Sequence, residues 1–304
     1  MMAGRLRVGV HVEIPGSVRV EAAKHFDTHH IGDTSAPPPD LAAVITPWWR
    51  GYGADDVARH PTVRYVSVFG TGLEYVDLGA LSEAGIDVGT TVLDGTDHAV
   101  AECALALCLS LLRRVPDADR FIRSGEWERK SFPPTTSLFG QSVGIVGLGY
   151  IGSQIAARCA AHGSTVGYFG RTKRAQVSHR YFKSLADIAE ASDVLFISCR
   201  GDATMRGMIN AEILAHLGPE GYLINISKPE FVDETALITT LANNGIAGAA
   251  LDVFNGEPSI DPRLTQLSNL LLHPHNGWKT TGVIRNREYY VIKNIRDHFG
   301  LSDP

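Results

Sequence analysis

Short apolar runs alternate with segments of helical period along the first third of the chain. Runs with strand-like composition cover residues 6–12, 42–46, 64–68 and 86–89. Strands that alternate with helices in this way form a parallel sheet with helices packed on its faces. The pattern therefore predicts an α/β domain in this part of the chain.

A second series of strand candidates begins at Ser142. Its six runs cover residues 142–146, 165–169, 193–197, 221–226, 247–251 and 269–272. Helical stretches separate most of them, and six strands match one complete doubly wound nucleotide-binding domain. We therefore predict an α/β protein with two doubly wound parallel-sheet domains.

Two long helical segments flank the second series. Residues 99–114 are apolar nearly all round, which predicts a mostly buried helix that connects the domains. Residues 281–300 place their apolar side chains roughly on one face, which predicts a terminal helix packed back on the first domain. The predicted domains are thus residues 1–94, completed by 281–304, and residues 95–280.

Composition and charge narrow the choice of partners. The 304 residues carry a net charge of −5 from charges scattered along the chain, so neither a nucleic acid nor an anionic membrane is predicted as a partner. The longest mostly apolar stretch, residues 99–112, falls short of the roughly 18 to 20 residues that span a bilayer. The first 17 residues hold too few apolar positions for a signal-peptide core. We expect a cytoplasmic protein that binds a small-molecule substrate.

The four cysteines lie at positions 103, 108, 159 and 199, without a CxxC pair or a histidine at metal-ligand spacing. We expect four buried thiols, with a redox or metal role as the alternative. No metal site is predicted.

The motif Gly147-Leu-Gly149-Tyr-Ile-Gly152 lies directly after a strand candidate and directly before a helical segment. In that setting the first glycine permits a tight turn, the second lets the backbone approach a pyrophosphate, and the third lets helix and strand pack closely. The N-terminus of the helix, at Tyr150 and Ile151, faces the phosphates. These residues are predicted to bind a dinucleotide.

The end of the next strand indicates which dinucleotide binds. An acidic residue there would accept hydrogen bonds from the ribose 2′-hydroxyl, but this chain has Gly170 followed by Arg171, Thr172 and Lys173. Cations and a hydroxyl suit a 2′-phosphate, so NADPH is predicted, with NADH as the less favoured cofactor. The alternative is a solvated basic loop.

Five separated motifs occur in an order that resembles the D-isomer-specific 2-hydroxyacid dehydrogenases across nearly the whole chain. The motifs are Gly70–Gly72, Ala99–Glu102, Leu223–Glu234, Ala250–Pro258 and Leu272–Trp278. Glyoxylate/hydroxypyruvate reductases and phosphoglycerate dehydrogenases belong to that family. The resemblance implies a flavodoxin-like substrate domain, a Rossmann cofactor-binding domain, and hydride transfer between NAD(P)H and a small 2-oxoacid or 2-hydroxyacid of D configuration.

The resemblance also implies a catalytic pair. His275 fits the acid that protonates the developing alkoxide, because imidazole gains and loses a proton near neutral pH. Glu257 matches the carboxylate that fixes the tautomer of that histidine, and Asp252 falls in a motif expected at the cofactor. By itself, a histidine in a Pro-His turn would more often be structural; the pairing with Glu257 favours catalysis.

The predicted substrate-binding residues follow two strands of the first domain. Phe69, Gly70, Thr71 and Gly72 form a loop whose backbone N–H groups would bind the substrate carboxylate, unless the loop is only a tight turn. Trp48 lies in a second loop that the family uses for substrate. An aromatic side chain at a dimer or domain contact is the alternative there.

Lys228 departs from the family, which has an arginine followed by glycine where this chain has Lys228-Pro229. Arginine binds a carboxylate through two parallel donors, whereas lysine offers a point charge. Three interpretations stay open: a weakened but ordinary active site, a pocket for a different carbonyl substrate, or a dinucleotide-binding regulatory protein with little turnover, like the corepressors that share this fold.

The family resemblance further implies a homodimer formed through the cofactor-binding domain. In that arrangement the helix at residues 99–112 would lie in the interface. No feature of the sequence itself supports the dimer.

Overall fold

The computed structural model describes residues 5–32, 40–91, 95–201 and 203–301 of the chain. The chain divides into two compact units, Met1–Gly95 with Thr281–Pro304 and Thr96–Thr280. The predicted boundary after residue 94 falls outside the described residues.

The first unit is built on a five-stranded parallel sheet. In chain order its strands are β1 (Arg7–His11), β2 (Asp27–Ile31), β3 (Ala43–Pro47), β4 (Tyr65–Phe69) and β5 (Asp87–Thr90). The spatial order β2-β1-β3-β4-β5 is that of a flavodoxin-like doubly wound sheet, which confirms the predicted fold class. Every residue of β3 and β4 is buried, as expected for central strands covered on both faces.

Strand β2 is the element of this sheet that the apolar pattern missed. Its sequence is Asp-Thr-His-His-Ile, and only Ile31 in it is buried. The strand pairs with β1 at the edge of the sheet, where polar side chains stay in contact with solvent. Its hydrogen bonds to β1, and not a buried face, therefore define it as a strand.

Among the residues that the structure describes, three helices of the first unit connect these strands. They are α1 (Gly16–His25), α2 (Ala54–Arg59) and α3 (Leu78–Glu83). Helix α3 begins after Asp77, whose side chain accepts a hydrogen bond from the backbone N–H of Ala80.

The second unit contains a seven-stranded parallel sheet. In chain order its strands are β6 (Ser142–Val146), β7 (Thr165–Phe169), β8 (Arg180–Phe182), β9 (Val194–Ile197), β10 (Tyr222–Asn225), β11 (Gly248–Leu251) and β12 (Leu270–Leu272). The spatial order is β12-β11-β10-β9-β6-β7-β8. The order reverses between β6 and β9, and in such sheets nucleotides bind outside the carboxyl ends of the strands at this reversal.

All six strands predicted for the second unit are present, and β8 is an addition. This three-residue strand follows the basic loop and pairs with β7 at the edge of the sheet, so neither its length nor its sequence gave a signal. The described residues of this unit form six α-helices: α4 (Thr96–Leu112), α5 (Val115–Arg123), α6 (Tyr150–Ala161), α7 (Leu185–Glu190), α8 (Ala211–Leu217) and α9 (Glu234–Ala242).

The last helix, α10 (Thr281–His298), belongs to the first unit. The Ser67 hydroxyl in β4 donates a 3.0 Å hydrogen bond to the Val291 carbonyl, and the Asn294 amide donates one of 3.0 Å to the Thr90 carbonyl. The apolar side chains of α10 are buried at Val283, Val291, Ile292 and Ile295. Within the described residues, no helix has the length and apolar character needed to cross a membrane.

Candidate active site

The glycine loop connects β6 to α6 and gives its three glycines different surroundings. Gly147 has a φ of +95°, and a Cβ there would lie 2.5 Å from Cys199 Cβ. A Cβ at Gly152 would overlap the carbonyl oxygen of Gly147 and lie 2.8 Å from Ser198 Oγ. At Gly149, by contrast, a Cβ would have no neighbouring atom within 4 Å. Two glycines therefore pack the loop, and Gly149 leaves open space at the helix N-terminus.

The first turn of α6 offers free donors beside this space. Gly149 is the N-cap, and the backbone N–H groups of Tyr150, Ile151 and Gly152 donate to no other described residue. An anion is the natural partner of such an N-terminus, because the N–H groups point outward and the helix dipole is positive there. The structure thus brings together the five residues predicted to bind the pyrophosphate.

The basic loop after β7 is held by two tyrosines. The Tyr168 hydroxyl accepts a 2.7 Å hydrogen bond from the Arg174 backbone N–H, and the Tyr181 hydroxyl donates one of 3.2 Å to the Gly170 carbonyl. The side chains of the next three residues, Arg171, Thr172 and Lys173, are exposed and form no hydrogen bond or ion pair with the described residues. The backbone is fixed while two cations remain available to a ligand.

Lys228 lies in the turn that follows β10. Asn225, which is 1% exposed, accepts a 3.1 Å hydrogen bond from the Ser227 backbone N–H and donates one of 3.1 Å to the Lys228 carbonyl. The Lys228 ammonium forms no ion pair with a described residue. Asn225 therefore shapes the turn and leaves the positive charge of Lys228 unneutralised.

His275 and Glu257 form the pair that the resemblance implies. His275 Nδ1 lies 2.6 Å from Glu257 Oε2, and Glu257 Oε1 accepts a 2.7 Å hydrogen bond from the Phe254 backbone N–H. An ionised carboxylate only accepts, so Nδ1 carries the hydrogen of this bond and Nε2 remains for a reacting group. Both side chains are about one-third exposed. The ring is oriented and accessible, as proton transfer requires.

The turn that carries His275 is held by Asp252, which follows β11 and is 3% exposed. Asp252 Oδ1 accepts hydrogen bonds from His273 Nδ1 at 2.6 Å and from the Asn276 backbone N–H at 3.0 Å. Its Oδ2 accepts one from the Gly277 backbone N–H at 3.1 Å. His275 has a φ of +51°, an uncommon conformation for a residue with a side chain. Asp252 thus binds the turn on both sides of the strained residue.

The predicted substrate residues of the first unit lie in two adjacent loops. Gly70 follows β4 with a φ of +141°, and a Cβ there would lie 2.6 Å from Trp48 Cδ1, so the absent side chain makes room for the indole. Thr71 and Gly72 are half-buried. Phe69 is fully buried, with Arg287 5.6 Å from its ring centroid, so its side chain cannot reach a substrate and only its backbone can.

The two residues after Trp48 form side-chain hydrogen bonds within the first unit. The Arg50 guanidinium donates to both oxygens of Asp56, at 2.8 and 2.9 Å, and the Trp49 indole N–H donates to Glu13 at 2.9 Å. Hydrogen bonding to Asp56 raises the pKa of Arg50. Trp48 is therefore the residue of this loop whose polar group is not bound to a neighbouring side chain.

The expectation of four buried thiols is wrong for two of them. Cys108 and Cys159 are buried, whereas Cys103 and Cys199 are partly exposed. Cys103 lies in α4, with its Sγ 3.8 Å from His273 Nδ1. Burial still raises the pKa of its thiol to about 12. Sequence spacing could not reveal this contact, because the two residues are 170 positions apart.

Comparison with known proteins identifies close relatives. A family model described as "D-isomer specific 2-hydroxyacid dehydrogenase, NAD binding domain" matches residues 105–277. The chain is 38% identical over 259 residues to glyoxylate/hydroxypyruvate reductase A of Arabidopsis thaliana, covering 85% of this chain and 82% of the relative. It is 36% identical over 259 residues to hydroxyphenylpyruvate reductase of Plectranthus scutellarioides, covering 85% of this chain and 82% of that relative.

Solved structures show the same similarity. A 2-hydroxyacid dehydrogenase from Ketogulonicigenium vulgare superposes with a TM-score of 0.93 at 29% identity, covering 99% of this chain and 97% of the other. An NADPH-dependent glyoxylate/hydroxypyruvate reductase from Sinorhizobium meliloti, in complex with NADP and malonate, gives a TM-score of 0.86 at 34% identity, with 97% and 94% covered.

Two glycine substitutions separate ligand binding from packing in the glycine loop. We expect Gly149→Ala to keep the wild-type melting temperature and to weaken dinucleotide binding by at least about 10-fold, because its methyl group would enter the open space in which the pyrophosphate is predicted to lie. Gly152→Ala should lower the melting temperature, because its Cβ overlaps the Gly147 carbonyl. Thermal unfolding and a fluorescence titration measure the two effects. Wild-type affinity in Gly149→Ala would place the pyrophosphate elsewhere.

Proposed function

The chain belongs to the D-isomer specific 2-hydroxyacid dehydrogenase family, and from this we propose that it is an NADPH-dependent reductase of a small 2-oxoacid with His275 as the acid. The observation that carries the proposal is the 2.6 Å contact between His275 Nδ1 and Glu257 Oε2, which leaves Nε2 as the proton donor. A bound nicotinamide cofactor supplies the hydride.

His275 completes the reduction. As the carbonyl carbon gains the hydride, its oxygen gains negative charge and takes the proton from Nε2 of the imidazolium, which yields the 2-hydroxyacid. Glu257 stabilises the imidazolium before transfer and keeps Nδ1 protonated after it. In the opposite direction, neutral Nε2 accepts the proton of a D-2-hydroxyacid.

Lys228 is proposed to bind the anionic end of the substrate. Its ammonium is free of ion pairs among the described residues and can act on a carboxylate or on the carbonyl oxygen. Because a lysine gives one point contact where arginine gives two parallel ones, we expect a less strictly oriented substrate than in relatives with arginine. The Gly70–Gly72 loop supplies backbone N–H donors, so the first unit serves as the substrate domain and the second as the cofactor domain.

NADPH is the proposed cofactor. Gly170 replaces the acid that would repel a 2′-phosphate, and the free side chains of Arg171, Thr172 and Lys173 follow it. The relative from Sinorhizobium meliloti is described as NADPH-dependent and was solved with NADP.

We propose that the protein works in the cytoplasm. The four cysteines are unpaired, which fits a reducing compartment of that kind.

Two substitutions test the catalytic pair. We expect His275→Ala to lower kcat by about 10²- to 10⁴-fold while the Kd for NADPH stays unchanged. Glu257→Gln should lower kcat similarly, because the amide oxygen must accept from Phe254 and the NH₂ group then faces Nδ1, where it cannot stabilise an imidazolium. Steady-state kinetics and a binding titration measure both quantities.

His216→Ala is the matched control, because His216 is exposed on α8. It should keep wild-type kcat. If His275→Ala reduces 2-oxoacids as fast as the wild type, His275 is not the acid. If neither protein turns over any 2-oxoacid and both bind NADPH, the regulatory alternative replaces the enzyme.

A substitution in the basic loop tests the choice of cofactor. Arg171→Ala should raise KM for NADPH by about 10-fold, because a charge-assisted contact with phosphate contributes roughly 1.5 to 3 kcal/mol. KM for NADH should change little, because NADH lacks the 2′-phosphate. The NADH measurement on the same variant is therefore an internal control. An equal rise of KM for both would show that Arg171 binds a part common to both, such as the adenine.

We also propose a homodimer, and we propose that α5 and the segment after it form the contact in place of the helix at residues 99–112. Helix α4 buries seven residues within its own unit. Helix α5 and the segment after it instead expose large apolar side chains: Val115 at 53%, Ile122 at 56%, Trp127 at 67% and Phe139 at 76%. None of the residues of α5 is buried. A second copy of the chain is the proposed cover for this surface.

Light scattering tests the dimer. Wild-type protein should have the mass of two chains, and Trp127→Asp combined with Ile122→Asp should have the mass of one, because two charges would be buried at the contact. Val20→Asp is the control, since Val20 is an exposed apolar residue of the first unit, at 65%. A wild-type mass of one chain would contradict the proposal.

A further inference from the structure

Three side chains of different chemistry converge in the second unit, from parts of the chain that are far apart in sequence. Cys103 Sγ lies 3.8 Å from His273 Nδ1, and His273 Nδ1 lies 2.6 Å from Asp252 Oδ1. All three ligand atoms lie within 4.8 Å of one another. Cys103 belongs to α4, while Asp252 and His273 directly follow β11 and β12. Each is therefore fixed by a separate regular element.

We propose that Cys103, Asp252 and His273 bind a zinc ion. One sulfur, one imidazole nitrogen and one carboxylate oxygen form a donor set that suits Zn²⁺, which accepts all three in tetrahedral sites. Three protein ligands leave the fourth position to water or another small ligand, as in sites where zinc remains accessible. Among the described residues, no fourth metal-binding side chain joins the cluster.

The distances between the ligand atoms fit this ion after a small adjustment. Zinc bonds of about 2.3 Å to sulfur and 2.0 to 2.2 Å to nitrogen and oxygen place tetrahedral ligand atoms roughly 3.4 to 3.6 Å apart. The sulfur and the nitrogen are already 3.8 Å apart. The 2.6 Å contact between His273 and Asp252 is a hydrogen bond and must open by about 0.8 Å, since the ion replaces the shared hydrogen.

The protons balance in this exchange. Zinc takes the lone pair of His273 Nδ1, so the ring proton moves to Nε2 through solvent and the imidazole stays neutral. The Cys103 thiol loses its proton to the buffer, because the thiolate is the metal ligand. Binding therefore releases one proton per ion and forms three bonds to the metal.

The surroundings of the cluster supply support and access. The Asn276 and Gly277 backbone N–H groups hold the Asp252 carboxylate in place, the first through Oδ1, which also contacts His273, and the second through Oδ2. A Cβ at Gly277 would lie 2.7 Å from Asp252 Oδ2 and 3.5 Å from Cys103 Sγ, so glycine keeps the space between these ligands open. The His273 side chain is 34% exposed, which gives an ion a path from solvent.

A bound ion would act on the turn that carries His275. Asp252 holds the two residues after His275, and His273 lies two residues before it. Separating Asp252 from His273 shifts this turn, so zinc should inhibit the enzyme. This consequence rests on the proposed reductase function, whereas zinc binding itself does not.

Metal binding is measured on the full-length protein without substrate or cofactor. Calorimetry with Zn²⁺ should give one ion per chain and release of one proton, seen as a dependence on the ionisation enthalpy of the buffer. Titration with Co²⁺ should produce a thiolate-to-cobalt charge-transfer band. Cys103→Ser should abolish this band, and Cys103→Ser and His273→Gln should each weaken zinc binding by more than about 10-fold.

Cys199→Ser and His216→Gln are matched controls, because they remove a partly exposed thiol and an exposed imidazole outside the cluster. Both should bind zinc like the wild type.

Absence of the thiolate-to-cobalt band in the wild type would overturn the proposed zinc site. Equal zinc affinity in the wild type, Cys103→Ser and His273→Gln would also overturn it. If zinc binds as described and the protein reduces no 2-oxoacid, the site stands and the proposed function fails. If the protein reduces 2-oxoacids and its kcat is the same with and without bound zinc, the predicted inhibition is wrong.

Discussion

The candidate active site depends on the hydrogen bonds that the buried Asp252 carboxylate accepts. Its two oxygens accept from one imidazole and two backbone N–H groups, all in the turn between residues 273 and 277. Without these bonds, a left-handed φ at His275 would cost free energy with nothing to offset it, since such strain persists only where the surroundings hold it. Asp252 holds the turn in position, and Glu257 then orients the ring. The family resemblance implies that Asp252 lies at the cofactor. In the structure its hydrogen bonds hold the turn that carries His275.

The cofactor site follows a similar division between packed and open space. Gly147 and Gly152 are glycines because the protein fills the volume that a side chain would need, whereas Gly149 faces open space, where the pyrophosphate is predicted to bind. In the basic loop, tyrosine hydroxyls hold the backbone and the cations stay unpaired. In both places the internal contacts of the chain fix the backbone and leave charge or space for the ligand. Such preorganisation lowers the ordering cost of binding.

The sequence was sufficient for features that depend on buried periodicity or on motifs, and insufficient for those that depend on contacts between distant residues. Central strands such as β9 are continuously apolar and are predicted from the sequence, but β2 is polar at a sheet edge and β8 has three residues. The pairing of Glu257 with His275 came from family resemblance. No pattern indicated that Asp252 would bind backbone N–H groups, or that Cys103 would meet His273, because both contacts arise only when β11, β12 and α4 are assembled.

Whether this chain reduces 2-oxoacids with NADPH can be measured in one assay of cofactor oxidation. Purified protein is given NADPH or NADH with a panel of small, bulky and phosphonate-bearing 2-oxoacids, and the configuration of any product is determined. Our expectation is that NADPH is oxidised by at least one small 2-oxoacid, faster than NADH, and that any chiral product is the D-2-hydroxyacid. No oxidation across the panel by protein that binds NADPH, or a product of L configuration, would contradict it.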